Sequence, residues 1–99
     1  MRYLVEAHPS MESGNRIDKA GGPGPIFAYI AERFKPDAFY GNPARRQIFL
    51  VVDLPSEKDL AELMYILTWN VETEPTFTPL MDPQLYMGAI EAARKAPAL

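Results

Sequence analysis

The chain contains one histidine, His8, and it stands two positions after Glu6 in a short β-type run, residues 2–8. Residues two apart in a strand lie on the same face, so the pattern places this carboxylate beside the imidazole. A carboxylate can orient an imidazole for use as a general base toward an acidic carbon or a phenol. The pair therefore predicts proton-transfer catalysis by His8 and Glu6. The alternative is that His8 is a solvated residue at a strand end, next to Pro9.

A second group of polar residues alternates along a later run: Glu72, Glu74, Thr76 and Thr78. If this run is a strand paired with that of His8, its carboxylates could share a proton with the histidine or bind a divalent cation. The alternative, which we favour, is a solvent-facing edge strand whose charges oppose aggregation. We therefore predict no metal site and assign Glu74 to ligand contact.

Aromatic residues could supply the walls of a small-molecule pocket and its hydroxyl or indole groups. Tyr40 and Trp69 stand at the ends of predicted elements, where cavities open, and Tyr3 lies in the first strand. We predict that Tyr3, Tyr40 and Trp69 contact a small, partly apolar ligand. The alternative places these side chains in the core or in a dimer interface.

Composition excludes several classes of function. The 99 residues carry ten basic and thirteen acidic side chains, so no basic excess favours nucleic acid. Arg45 and Arg46, which follow Asn42-Pro43, are interpreted as solvated turn charges. There is no cysteine, which excludes disulfides and thiolate metal sites and fits the cytoplasm. No apolar run reaches the roughly 18–20 residues that cross a bilayer.

Phosphate-binding and nucleophile motifs are also missing. The glycine-rich segment 21–24 lacks a following lysine, and no serine lies in a nucleophile elbow. We expect one domain over residues 1–99, in the cytoplasm, with no cofactor, no nucleic acid and no membrane partner.

Ten prolines divide the chain into short elements that must position these residues. Alternation predicts strands over 2–8, 37–41, 46–53 and 71–78. Helical spacing and caps predict helices over 25–34, from Ser56 to about Trp69, and from Asp82 to before Pro97. Residues 10–24 show almost no apolar periodicity and predict a helical turn or two at most. Pro75 argues that the last strand is an irregular edge strand.

This order of elements is typical of an α+β ferredoxin-like fold, βαββαβ with an additional C-terminal helix and a four-stranded antiparallel sheet. The third strand is apolar on both sides, with Phe49 and Val51 on one and Ile48, Leu50 and Val52 on the other. Since helices cover one face, something must also cover the second. We predict a second copy, giving a two-fold dimer. The alternative is a monomer whose last helix folds over that face.

Three segments of the chain resemble small uncharacterised bacterial proteins of about this length: Phe34–Tyr40, Ile48–Asp53 and Phe77–Met81. Those proteins have a K-P-E-A-x-Y helix exit, an F-F-V-V-D strand and a T-P-V-M segment before a final helix. Their layout is similar to the dimeric α+β barrel superfamily of muconolactone isomerase-like, antibiotic-biosynthesis-monooxygenase-like and stress-responsive proteins. The resemblance implies two sheets packed face to face and a cavity for a small organic molecule. It carries over no catalytic motif.

The sequence thus predicts a homodimer that binds a small, partly apolar organic molecule, with cofactor-independent proton transfer of the isomerase or monooxygenase kind. The alternative is a non-catalytic structural or interaction module whose second sheet face serves only to dimerise. A cavity that reaches His8 from the predicted aromatic residues favours the first hypothesis. A sheet face filled by the partner, with His8 in solvent, favours the second.

Overall fold

A computed structural model describes residues 1–98. The elements in chain order are β1 (Arg2–Ala7), α1 (Met11–Lys19), α2 (Gly24–Phe34), β2 (Ala38–Asn42), β3 (Gln47–Asp53), α3 (Glu57–Val71), β4 (Thr76–Leu80) and α4 (Pro83–Ala93). The strands form one antiparallel sheet in the order β2-β3-β1-β4. The ferredoxin-like α+β fold with an added C-terminal helix is confirmed, and β4 is an edge strand, as predicted.

Strand register separates two faces of the sheet. Val5 of β1 lies opposite Leu50 of β3, which in turn lies opposite Phe39 of β2. Helices α2 and α3 pack against this face. The buried side chains between the sheet and the helices form the hydrophobic core, which consists of Val5, Ala7, Ile30, Phe34, Ile48, Leu50, Val52, Leu54, Leu63 and Leu67. The opposite face, called the open face here, carries side chains that are not fully buried: Leu4, Glu6, Ala38, Tyr40, Phe49, Val51 and Leu80.

Capping residues and a proline set the ends of helices α2 and α3. The Ser56 side chain caps α3 by accepting a 3.1 Å hydrogen bond from the Asp59 backbone N–H. Pro25 lies in the first turn of α2, and Lys35 ends that helix in the left-handed region, with φ 47°. Arg33 of α2 donates to Asp59 of α3 at 2.7 Å. The Arg33 and Ser56 hydrogen bonds lower the pKa of Asp59.

Two segments differ from the sequence prediction. Residues 11–19 form a complete helix, α1, because polar contacts to other elements hold a segment that has little apolar periodicity. The predicted strand over 71–78 begins only at Thr76, because α3 continues to Val71. Glu72 follows in the left-handed region, with φ 59°, so Glu72 and Glu74 do not belong to β4.

Helix α4 has no buried residue. Met81, Leu85, Tyr86 and Met87 are between 46% and 68% exposed. The radius of gyration is 16.5 Å, against about 13 Å for a compact chain of 100 residues. Helix α4 therefore does not supply the cover that a monomer with a folded-back last helix requires. Within residues 1–98, no helix has the length and apolar character needed to span a membrane.

Replacing Leu63 by alanine should lower the free energy of unfolding by about 2–5 kcal/mol, because the lost side chain leaves a cavity in the core. Leu63 is fully buried, whereas its neighbour Met64 is 37% exposed. We expect Met64→Ala to cost less than about 1 kcal/mol. Urea unfolding followed by circular dichroism measures both changes, and equal losses would contradict the packing of α3 described here.

Candidate functional site

A cavity of about 320 Å³ lies between α1, the start of α2 and the β2–β3 hairpin. The sheet and three helices provide its apolar walls through Ala7, Ile17, Phe27, Ile48 and Val71. Its polar groups come from α1 and the hairpin, namely Asp18, Asn42, Arg46 and Gln47. An apolar cavity with a few polar groups on one side is the usual make-up of a small-molecule site.

Polar contacts hold α1 against the rest of the fold. The Ser13 side chain is buried and donates a 2.7 Å hydrogen bond to the Val71 carbonyl at the end of α3. Ser10 caps α1 by accepting a 3.1 Å hydrogen bond from the Ser13 N–H. Arg16 pairs with Glu72, just after α3. These contacts fix α1 as one wall of the cavity.

Arg46 joins the hairpin to α1. Its Nη2 lies 2.9 Å from Asn15 Oδ1 and 3.2 Å from Asp18 Oδ2. The backbone of Arg46 has φ 52°, a left-handed conformation that costs on the order of 1 kcal/mol or more for a residue other than glycine. The tertiary contacts of the guanidinium stabilise this turn and bring Arg46 to the cavity wall.

Gly14 makes room for that guanidinium. A Cβ at this position would overlap Nη1 of Arg46 and would lie 3.2 Å from Pro9 Cγ. Glycine in a helix interior costs about 1 kcal/mol relative to alanine, so α1 is locally destabilised by this residue. The close approach of Arg46 to α1 is the physical reason for a glycine here.

The structure places the predicted pair His8 and Glu6 outside this cavity. Glu6 is on the open face, opposite Phe49 and Thr76. His8 is exposed, and its Nδ1 lies 3.3 Å from the Pro9 carbonyl oxygen. The lining includes Ala7 and Pro9, on either side of His8, but not His8. The catalytic role of the pair stays a prediction.

The predicted ligand-contacting residues are dispersed. Tyr3 packs edge-on against Phe77, with ring centroids 6.1 Å apart. Trp69 is 72% exposed and lies against Tyr65 on the outside of α3. Glu74 is exposed between α3 and β4.

Tyr40 also lies outside the cavity. It is 72% exposed and lines a more open depression along β2. That depression shares Phe27, Gly41 and Ile48 with the cavity.

Sequence reasoning missed Arg46, Asp18 and Gly14. The interpretation of the paired arginines as solvated turn charges fits the exposed Arg45 but is wrong for Arg46, which contacts α1. The clue in the sequence was the glycine within residues 11–19, because a glycine inside a helix lowers its stability and can mark the close approach of another group. This clue could be used only if residues 11–19 were known to form a helix.

The residues described, 1–98, contain no cluster of three or more histidine, aspartate or glutamate side chains that could hold a metal ion. No protein family model matches the chain, and no curated protein matches its sequence.

Gly14→Ala should act differently depending on residue 46. With Arg46 present, the new methyl group displaces the guanidinium, and this loss offsets the gain in helix propensity. In an Arg46→Ala background we expect Gly14→Ala to raise the free energy of unfolding by about 1 kcal/mol, after a small shift at Pro9. Urea unfolding of the four proteins measures the coupling. The same effect of Gly14→Ala in both backgrounds would contradict the contact.

Proposed function

We propose that the protein binds a small, partly apolar organic molecule in the cavity between α1, α2 and the β2–β3 hairpin. The observation that carries this proposal is the cavity itself, with about 320 Å³ bounded by apolar side chains. This volume is at the lower end of the range of roughly 300–1,000 Å³ found for ligand sites. The apolar walls would bury the body of the ligand, and the polar groups of the hairpin would orient it.

The small residues that line the cavity support its interpretation as a binding site rather than as a defect in packing. Ala7 and Gly41 line the cavity where larger side chains would fill it. A Cβ on Gly41 would meet only the Gln47 carbonyl oxygen, at 3.9 Å, so backbone packing does not require glycine there. The cavity is open to solvent on one side, so a ligand that covers its apolar walls would remove apolar surface from water, which favours binding.

Proton transfer by His8, without a cofactor, extends this proposal. His8 follows Ala7, which lines the cavity, and its imidazole is exposed. Exposed side chains change rotamer within nanoseconds, so the ring is free to turn toward a bound molecule. Glu6 lies on the open face, away from the cavity, so His8 would act there without it. The absence of cysteine agrees with a cytoplasmic location.

We further propose that the open face of the sheet packs against a second copy of the chain. Leu4 of this face lies opposite Val51, and Phe49 lies opposite Tyr40. Helix α4 adds further exposed apolar side chains. Exposed apolar patches of this kind mark interaction sites. They also favour the alternative function, a non-catalytic interaction module, if the cavity proves unable to bind a ligand.

Ala7→Ile should abolish ligand-induced thermal stabilisation in a screen against small organic metabolites, because the larger side chain occupies the cavity. Ala38→Ile is the matched control, since Ala38 lies on the open face opposite Val51; it should leave ligand binding unchanged. His8→Ala should keep the binding of the same compound and abolish its conversion, followed by NMR.

The outcomes separate the parts of this proposal. Equal stabilisation of the Ala7→Ile and wild-type proteins would place the ligand elsewhere. If the His8→Ala variant converts the compound as fast as the wild type, His8 is not the base.

Val51→Lys should convert a dimer into monomers, because it buries an unpaired charge in the interface. Thr68→Lys, on the exposed side of α3, is the control and should leave the dimer intact. Light scattering coupled to size-exclusion chromatography measures the mass. A monomeric wild-type protein, or a dimeric Val51→Lys variant, would contradict assembly through the open face.

A further inference from the structure

We infer that the cavity selects organic anions, and that Arg46 binds the anionic group of a ligand whose apolar body lies against Ile17, Phe27 and Ile48. This inference rests on the proposed binding function and adds the chemical class of the ligand: an apolar body that carries one carboxylate or a comparable anionic group. It follows from the position of Arg46 beside Gly14, from its unused hydrogen-bond donors and from the charges around it.

Two locally unfavourable residues meet at this one contact. Arg46 adopts a left-handed backbone conformation, and Gly14 interrupts the interior of α1. The close approach of the guanidinium explains the glycine at position 14. The left-handed conformation of Arg46 falls at the end of the turn between β2 and β3, where hairpins commonly have such a residue. Gly14 lowers the stability of α1, and residues that are unfavourable locally tend to lie at functional sites. The group for which Gly14 makes room is the guanidinium at the cavity wall.

Arg46 keeps hydrogen-bond donors free. A guanidinium carries five N–H groups, and the contacts of Arg46 with oxygen atoms in residues 1–98, to Asn15 and Asp18, all use Nη2. The polar neighbour of Nη1 is the Met11 sulfur at 3.9 Å, a weak acceptor. The side chain is 36% exposed, so solvent and ligand can reach it. The Nε and Nη1 N–H groups have no oxygen partner within residues 1–98, so Arg46 can still donate a charge-assisted hydrogen bond to an anion.

Asp18 places a negative charge beside the guanidinium of Arg46. Asp18 and Arg46 are the two ionisable residues of the cavity lining. The Asp18 carboxylate holds the guanidinium through Nη2 but is itself about half exposed, so the pair is open to solvent on one side. A ligand anion that accepts from the remaining N–H groups of Arg46 would be attracted by the guanidinium and repelled by Asp18. Removing the Asp18 charge should therefore strengthen anion binding while leaving the apolar walls unchanged.

Two fluorescent probes test this inference: 1-anilinonaphthalene-8-sulfonate and N-phenyl-1-naphthylamine, which is the same ring system without the sulfonate. We expect the wild-type protein to bind the sulfonate at least about tenfold more tightly, because of the charge-assisted hydrogen bonds to Arg46. Arg46→Gln should remove this preference, and Arg45→Gln, the adjacent exposed arginine, should keep it. Asp18→Asn should tighten binding of the sulfonate several-fold and leave binding of the neutral probe unchanged.

Amide NMR shifts locate each probe, since the apolar side chains of α4 could also bind dyes. Shifts at Ala7, Gly41 and Ile48 report the cavity. If neither probe moves these signals, the proposed binding function fails. If both bind in the cavity with equal affinity, or Arg46→Gln keeps the preference, binding stands and anion selection is overturned. Should Arg46→Gln not fold, Asp18→Asn decides, and no gain for the sulfonate would contradict the role of Arg46.

Discussion

The packing of Val5, Leu50 and Val52 against Ile30, Leu63 and Leu67 is the constraint on which the rest of the structure depends. These residues are almost completely buried, and they fix which face of the central strands meets the helices. Because side chains alternate in a strand, a shift of one residue would move Val5, or Leu50 and Val52, to the open face, so the register is strongly specified. The same register puts Ala7 and Ile48 at one end of the core, where the cavity lies, and leaves Phe49 and Val51 on the open face.

At that end of the core, polar contacts rather than apolar packing hold α1 in place. Helix α1 contains little apolar surface, and Ser13, Arg16 and the partners of Arg46 attach it to α3 and to the hairpin. Exposed ion pairs contribute little individually, so α1 is held less firmly than α2 or α3, which contribute several core residues. Helix α1, held mainly by polar contacts, thus lies next to the cavity, which the core side chains do not fill.

On the opposite side of the molecule, the side chains of the open face stay partly exposed within the residues described. A chain of 99 residues buries a small fraction of its surface compared with larger domains, and here three helices are used on one face of the sheet. Within residues 1–98, the open face and α4 remain as partly or fully exposed apolar surface. An isolated helix shorter than about 12–15 residues is marginal in water, and α4 has 11 residues, none of them buried. The proposed second copy would cover this apolar surface.

The sequence by itself determined the ferredoxin-like order of elements, the two faces of β3 and the caps at Ser56 and Asp82. The edge position of β4 was predicted from Pro75, which precedes the strand. These features are local or periodic, and short-range chemistry specifies them. It did not determine α1, whose stability comes from contacts with residues more than 50 positions away, such as Val71 and Glu72. Nor did it find the cavity, because Gly14, Asp18 and Arg46 come together only when the hairpin docks against α1. Tertiary structure alone decided which residues surround the candidate site, since the distances between side chains from separate elements have no periodic signature in the chain.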